Sequence, residues 1–321
     1  MAIDQQAPLP SGFTAASSAE DVMVDVDLGG RTALVSGGYS GLGLETTRAL
    51  ATAGARVLVP ARRPEIAHAR LQGLETVTVI PMDLADLASV RDAAAHIRES
   101  EAKLDIAIAA AGVMASPERR VGHGWESQFA INHLGHFVLI NRLRPLLSNA
   151  GGARVVSYSS AGHHLSDIRW DDLNFDRGYD KWLAYGQAKT ANVLFAVHLD
   201  AIAKHDGVRA FSLHPGAIIT SLQRDMTAAE QIERGWIDGE GNVIGLGFKT
   251  VSQGAATGLW AATSHVSESR GGVYCEDCNI APVADPGGSI DDGGVRDYAV
   301  DPESAERLWH VSERITRTAT E

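Results

Sequence analysis

The chain has 321 residues, 45% of them hydrophobic, and a formal net charge of −12 at pH 7, which allows one large α/β domain or two small ones. That acidity excludes a general affinity for nucleic acid or anionic membrane, and no apolar run approaches the ~18–20 residues that span a bilayer. The start, Met1-Ala2-Ile3-Asp4, has no lysine or arginine before Arg31, so a secretory signal is not expected and a cytoplasmic location is.

Residues 1–28 lack sustained periodicity and read as an N-terminal extension with one short helical turn around 19–24. From Arg31 onward, short β-rich runs alternate with longer Ala-rich or amphipathic segments. Strands are predicted at 32–36, 56–59, 77–81, 104–110, 154–158 and 209–213, with a last one near 273–275. The intervening helices are predicted at 42–53, 64–71, 87–100, 125–147, 179–204 and 252–263. The run 104–110 is apolar on both faces, as a central parallel strand requires. Pro60 lacks a ladder N–H and is placed at the end of the second strand. A Gly-rich stretch at 220–247 reads as a mobile lid, 281–297 as a loop, and 304–316 as a helical tail. Strands alternating with crossover helices predict a single α/β domain over residues 29–321, a doubly wound parallel sheet with helices on both faces.

The two cysteines, Cys275 and Cys278, form a C-x-x-C pair late in the chain. With no second Cys/His pair nearby, idle thiols in a reducing compartment are expected rather than a redox or zinc site.

The first predicted strand runs into Ser36-Gly37-Gly38-Tyr39-Ser40-Gly41-Leu42-Gly43 and then a helix. Glycines there let the backbone turn tightly and approach a pyrophosphate, which the helix N-terminus attracts. Flanked in this way, the loop marks a Rossmann-type dinucleotide site. Its G-x-x-x-G-x-G spacing resembles the first motif of the short-chain dehydrogenase/reductase family, with Ser36 in place of that family's threonine. The resemblance implies cofactor contacts from Ser36, Gly37, Tyr39, Ser40, Gly41, Leu42 and Gly43. About twenty residues on, where an acid would hold an NAD ribose, the sequence reads Val59-Pro60-Ala61-Arg62-Arg63. A guanidinium at Arg62 suits a 2′-phosphate, so NADP(H) is preferred, NAD(H) remains possible, and the other reading is a solvated surface arginine. By resemblance, Asp83 beside Leu84 accepts from the adenine amino group; it is equally well a helix-entry cap. The family's Asn-Asn-Ala-Gly is here Ala109-Ala110-Ala111-Gly112. Small residues keep close approach to the cofactor, but a side-chain hydrogen bond tying the central strands is expected to be missing.

Tyr185 and Lys189 lie four apart in a predicted helix and therefore on one face. An ammonium near a phenol favours phenolate, and a downward pKa shift of ~2–3 units is expected from it together with an oxidised nicotinamide. The pair matches the family's Tyr-x-x-x-Lys. Resemblance also implies that Ser160 orients the substrate oxygen, with Ser159 the alternative if the register slips by one. Asn132 matches the family's helix asparagine beside a proton-relay water. Pro215 and Gly216, with Ile218 and Thr220, match its segment against the nicotinamide carboxamide. The long insertion between Ser160 and Tyr185 resembles the retinol-dehydrogenase-like branch, and the resemblance covers about residues 31–280.

His133, His136, His163 and His164 lack the converging ligands of a zinc site, and no metal is expected. Trp170, Phe175, Tyr179, Trp182, Leu222 and Trp236 fall in loops expected around the pocket, implying either a bulky apolar substrate or simple loop anchors. The expected activity is NADP(H)-dependent transfer of hydride between the nicotinamide and a small-molecule carbonyl or alcohol. The alternatives are a dinucleotide-binding regulator without turnover and, less directly, a nicotinamide-dependent epimerase or dehydratase. A homo-oligomer paired through helices 125–147 and 179–204 is open, as is masking of those helices by the terminal extensions.

Overall fold

The computed structural model describes residues 5–245, 247–265 and 270–317. Residues 1–4 of the expected extension, 246 of the expected lid and 318–321 of the expected tail lie outside that range. The first half of the chain builds α1 (Ala19–Met23), β1 (Thr32–Ser36), α2 (Gly41–Thr52), β2 (Arg56–Ala61), α3 (Pro64–Arg70), β3 (Val77–Pro81) and α4 (Leu87–Ser100). Then come β4 (Ile106–Ala109), the hairpin β5 (Arg120–Val121) and β6 (Trp125–Glu126), α5 (Ser127–Phe129), a π turn (Ala130–Leu134) and α6 (Gly135–Asn149). The second half adds β7 (Ala153–Tyr158), α7 (Lys181–Ala203), β8 (Val208–Leu213), α8 (Ala228–Glu233), α9 (Val251–Thr263), β9 (Val273–Glu276), β10 (Asn279–Ile280) and α10 (Pro302–Thr316).

Eight strands form one sheet in the order β10-β9-β8-β7-β4-β1-β2-β3, parallel except for β10. The strand order reverses between β1 and β4, which opens a crevice at their carboxyl ends. Strand alternation sorts the core into two layers. Leu34, Leu58, Ile80, Ala107, Val155 and Ala210 face α4, α6 and α7, while Val35, Val57, Val59, Ile108, Val156 and Phe211 face α2 and α9. Pro60 lies inside β2, one residue short of its end. It is tolerated because the β1 ladder against β2 stops at Leu58, leaving only β3 beside it.

Two predicted helices begin later than periodicity indicated. Residues 125–126 are a strand, and Glu126 caps the following turn by accepting from the N–H groups of Gln128 and Phe129. The Asp180 carboxylate accepts from Trp182 and Leu183, so α7 starts at Lys181 rather than 179. The N-terminal segment is laid on the domain. Buried Gln6 donates to the carbonyls of Tyr274 and Ala281 and accepts from Tyr274 N–H, strapping β9 to the turn into residue 281. At the other end, Trp309 of α10 stacks on Phe195 of α7 and meets Phe137 of α6 edge-on at 4.9 Å. α10 therefore covers part of the outer face of α6 and α7.

Candidate active site

The glycine loop occupies the crevice between β1 and β4. Gly37 has φ +71°, and a Cβ there would lie 3.0 Å from Ala111 Cα; one on Gly43 would lie 2.3 Å from the Gly37 carbonyl oxygen. Any side chain would force the turn apart. Ser40 is the N-cap of α2, yet its side chain makes no capping hydrogen bond. The first N–H groups of that helix are thus free for an anion, and a pyrophosphate fits the donor set. Tyr39 and Ser40 lie in this turn, and Gly41 and Leu42 open the helix after it. Ser36, expected to contact the cofactor, is instead fully buried. Its hydroxyl accepts from the N–H groups of Ala110 and Ala111, each at 3.1 Å, so it braces the loop from behind. This also corrects the expected loss at Ala109-Ala110-Ala111: Ser36 supplies a side-chain tie between β1 and the end of β4.

Arg62 is exposed in the turn leaving β2, with no ion-pair partner among the described residues. Asp83 accepts from Ala85 N–H within its own turn, and the cap of α4 is Asp86 instead. Leu84 is buried, its carbonyl oxygen 2.6 Å from where a Gly135 Cβ would stand. Ala109 is enclosed in β4.

A cavity of about 680 Å³ opens beside the loop, and Leu42, Gly112, Ser160, Tyr185, Lys189, Pro215, Gly216, Ile218 and Thr220 all stand in its wall. Gly162 lets the catalytic candidates meet: a Cβ on it would lie 2.6 Å from Tyr185 Cε1 and 3.3 Å from Ser160 Oγ. Ser159 is directed elsewhere, donating to the Lys189 carbonyl at 2.8 Å, which leaves Ser160 as the hydroxyl beside the phenol. Lys189 Nζ lies 5.6 Å from the centroid of the Tyr185 ring and donates to the Tyr158 carbonyl at 2.9 Å. Burial pushes the Tyr185 phenol up to about 12, against the opposing pull of the Ser160 hydroxyl. Desolvation is thus the dominant influence on the phenol of the free protein, whereas the expected downward shift counts an oxidised nicotinamide together with Lys189. The same burial lowers Lys189 to about 8.

A family model for short chain dehydrogenase matches residues 31–231. The chain belongs to this family. It is 44% identical to a "Probable oxidoreductase" of Streptomyces lividans, over 88% of this chain and 97% of that one. It is also 35% identical to retinol dehydrogenase 12 of Bos taurus, over 90% and 87% of the two chains. The solved RhlG/NADP complex of Pseudomonas aeruginosa is 25% identical with a TM-score of 0.59, covering 78% of this chain and 95% of that one. The protein is accordingly a short-chain oxidoreductase with the nucleotide fold of that family. Among its described residues no helix is long and apolar enough to cross a membrane.

In this oxidoreductase Asn132 is fully enclosed rather than part of the cavity wall. Its amide accepts from Val113 N–H and donates to Val113 O, each at 2.9 Å, fixing the strand exit beneath Gly112. The histidines weighed as metal ligands have protein partners instead. His133 Nε2 bonds Ser312 Oγ of α10 at 2.8 Å. His164 Nε2 bonds the Gly294 carbonyl at 3.0 Å. His136 bridges the Asn132 carbonyl through Nδ1 at 2.9 Å and Ser36 Oγ through Nε2 at 2.8 Å. A carbonyl only accepts, so Nδ1 carries the proton and Ser36 donates to Nε2. His163 likewise donates from Nδ1 to the Ser160 carbonyl at 2.7 Å and accepts the Arg296 N–H at Nε2. The sequence offered these rings only as histidine pairs. Their bracing of Asn132 and Ser160 depends on contacts 36 and 296 in the chain, which no local pattern reveals.

The expected lid contains a 3-10 turn (Ser221–Asp225) and α8, tethered by the Ser116–Asp225 hydrogen bond and the Lys181–Glu230 ion pair. Trp182, Leu222 and Trp236 do line the cavity, whereas Trp170 and Phe175 pack elsewhere. Tyr179 donates to Ser116 O at 2.7 Å and serves as a loop anchor. Cys275 and Cys278 are buried, and burial raises both thiols.

Proposed function

We propose that this enzyme uses NADPH to reduce the carbonyl of a bulky, largely apolar organic compound, and oxidises the matching alcohol in reverse. The observation that carries the reading is Ser160, Tyr185 and Lys189 together in the wall of one cavity, beside an uncapped helix N-terminus. When bound, the nicotinamide supplies or takes up the hydride. Gly37, Gly41 and the first N–H groups of α2 would hold its pyrophosphate. Arg62 would hold the 2′-phosphate, a choice supported by the absence of an acid there and by the NADP of the RhlG complex. Gly216, Ile218 and Thr220 would face its carboxamide.

Ser160 donates its hydroxyl hydrogen to the carbonyl oxygen and fixes the substrate. Tyr185, held as a neutral phenol by its burial, delivers its proton to the same oxygen. Lys189 spends one N–H on Tyr158 and has two others for a ribose hydroxyl and a relay water that returns the proton. Asn132 keeps Gly112 and Val113 in place below these groups. Met114, Leu165, Trp182, Leu222, Trp236 and Phe248 give the remaining cavity its apolar character. A screen of NADPH oxidation over aldehydes, aliphatic and aryl ketones, and steroid- or retinoid-like carbonyls tests the proposal. Absorbance loss with a bulky carbonyl supports it, and NADPH binding without oxidation across the whole panel defeats it.

A further inference from the structure

Three cations stand in the cavity wall, and two have assigned partners. Lys189 belongs to the reacting group, and Lys249 is paired with Asp277 at 2.5 Å. The third, Arg234, makes no ion pair among the described residues. Its guanidinium carbon lies 3.7 Å from the centroid of the Trp182 ring and 5.7 Å from that of Trp236. The two indoles meet edge-on at 6.3 Å, and Trp182 in turn meets the Tyr185 ring edge-on at 6.4 Å. An aromatic slot therefore leads from the phenol to the guanidinium.

A guanidinium stacked on an indole spends its face and keeps its N–H fork at the rim, matched to a planar carboxylate. The arm bearing it is fixed to the same helix as the phenol. Arg234 follows α8, whose Glu230 pairs with Lys181, the neighbour of Trp182 on α7. Of the acids in the same wall, Asp277 is neutralised by Lys249, burial pushes Glu276 up to about 7, and Asp291 is exposed. In a chain of net charge −12, a free cation at the end of an apolar slot is the feature an anionic substrate needs to enter.

We propose that Arg234 is the anchor for a carboxylate, so that the preferred substrate is a carbonyl compound whose apolar body ends in a carboxylic acid. The inference rests on the reductase reading and adds the charge of its substrate. The apolar body lies along Trp182 and Trp236, with the carbonyl at Ser160 and Tyr185 and the acid at Arg234.

The test compares NADPH-dependent reduction of aryl keto acids of increasing chain length, beginning with benzoylbutyrate, with reduction of their methyl esters. Each acid and its ester share a carbonyl and differ in charge. The wild-type enzyme is expected to favour the acid of matching length by about tenfold in kcat/KM, the worth of one charge-assisted contact of ~1.4 kcal/mol, mainly through KM. Added salt should erode that preference. Arg234→Gln should bring the acid/ester ratio to near one, and Arg234→Lys should restore part of it. Because the ratio is taken within one preparation, loss of folded enzyme does not imitate the effect. Equal turnover of acid and ester by the wild type, or an unchanged ratio in Arg234→Gln, overturns the anchor and leaves the reductase reading standing. Turnover of neither acids nor esters nor any other bulky carbonyl defeats both.

Discussion

Replacing His136 with phenylalanine keeps most of the ring volume and removes both of its hydrogen bonds. The Ser36 hydroxyl then loses the acceptor for its proton, and the Asn132 carbonyl loses a donor one helical turn away. The Ser36 hydroxyl proton is left unpaired in the interior, which costs roughly 1–3 kcal/mol, whereas the Asn132 carbonyl lies within a helical run and loses only an additional partner. At about 1.5 °C per kcal/mol for a chain of 321 residues, Tm should fall by roughly 2–5 °C. Since Ser36 also receives the N–H groups of Ala110 and Ala111 behind the glycine loop, the Kd for NADPH should rise in the same variant. Ser36→Ala should do likewise, and the double variant should lose less than the sum of the two. The imidazole has a second consequence. Burial lowers His136 to about 4 and His133 and His163 to about 3. A histidine whose folded pKa lies below its unfolded value contributes stability that is complete above about 6.5 and is lost as pH falls toward the folded value. Wild-type stability should therefore decline from about pH 6.5 downward, and less steeply in His136→Phe. Calorimetry across pH 4–8 and a fluorescence titration with NADPH measure both effects. A His136→Phe protein with unchanged Tm and unchanged NADPH affinity would refute the argument.

Arg62→Ala should raise KM for NADPH by about tenfold or more while leaving NADH kinetics nearly unaltered, as steady-state assays with each cofactor will show. An existing preference for NADH, unaffected by the substitution, would remove Arg62 from the cofactor site. Gly162→Ala places a methyl 2.6 Å from Tyr185 Cε1, so the phenol must shift and kcat should drop by ~10²-fold with little change in cofactor Kd. Reduction should slow as pH rises through about 8, where Lys189 loses its proton, and the pH–rate profile of kcat shows the limb directly.

The sheet was legible because its central strands are apolar on both faces and its first crossover carries glycines at 37 and 43, where a side chain has no room, and at 41, where φ is +50°. The site was legible where chemistry demands a spacing, as at Tyr185 and Lys189 on one turn of α7. What the sequence hid depends on distant partners. Glu126 reads as part of the first turn of a helix over 125–147, yet it is the second residue of a two-residue strand and the buried cap of the turn after it. Ser36 reads as a loop contact, yet its hydroxyl is consumed by strand exits 74 and 75 residues away. The phenol of Tyr185 shows the limit on energetics. Spacing reveals the neighbouring ammonium, whereas the desolvation that raises the phenol comes from side chains gathered by the whole fold.

The most direct measurement is single-turnover NADPH oxidation by Tyr185→Phe in the presence of a carbonyl that the wild-type enzyme reduces. With the proton donor gone and the ring still in place, the hydride step should slow by ~10²–10⁴-fold while the Kd for NADPH stays the same. A Tyr185→Phe enzyme turning over at the wild-type rate would show that the proton comes from elsewhere, and the assignment of this cavity as the reacting site would be wrong.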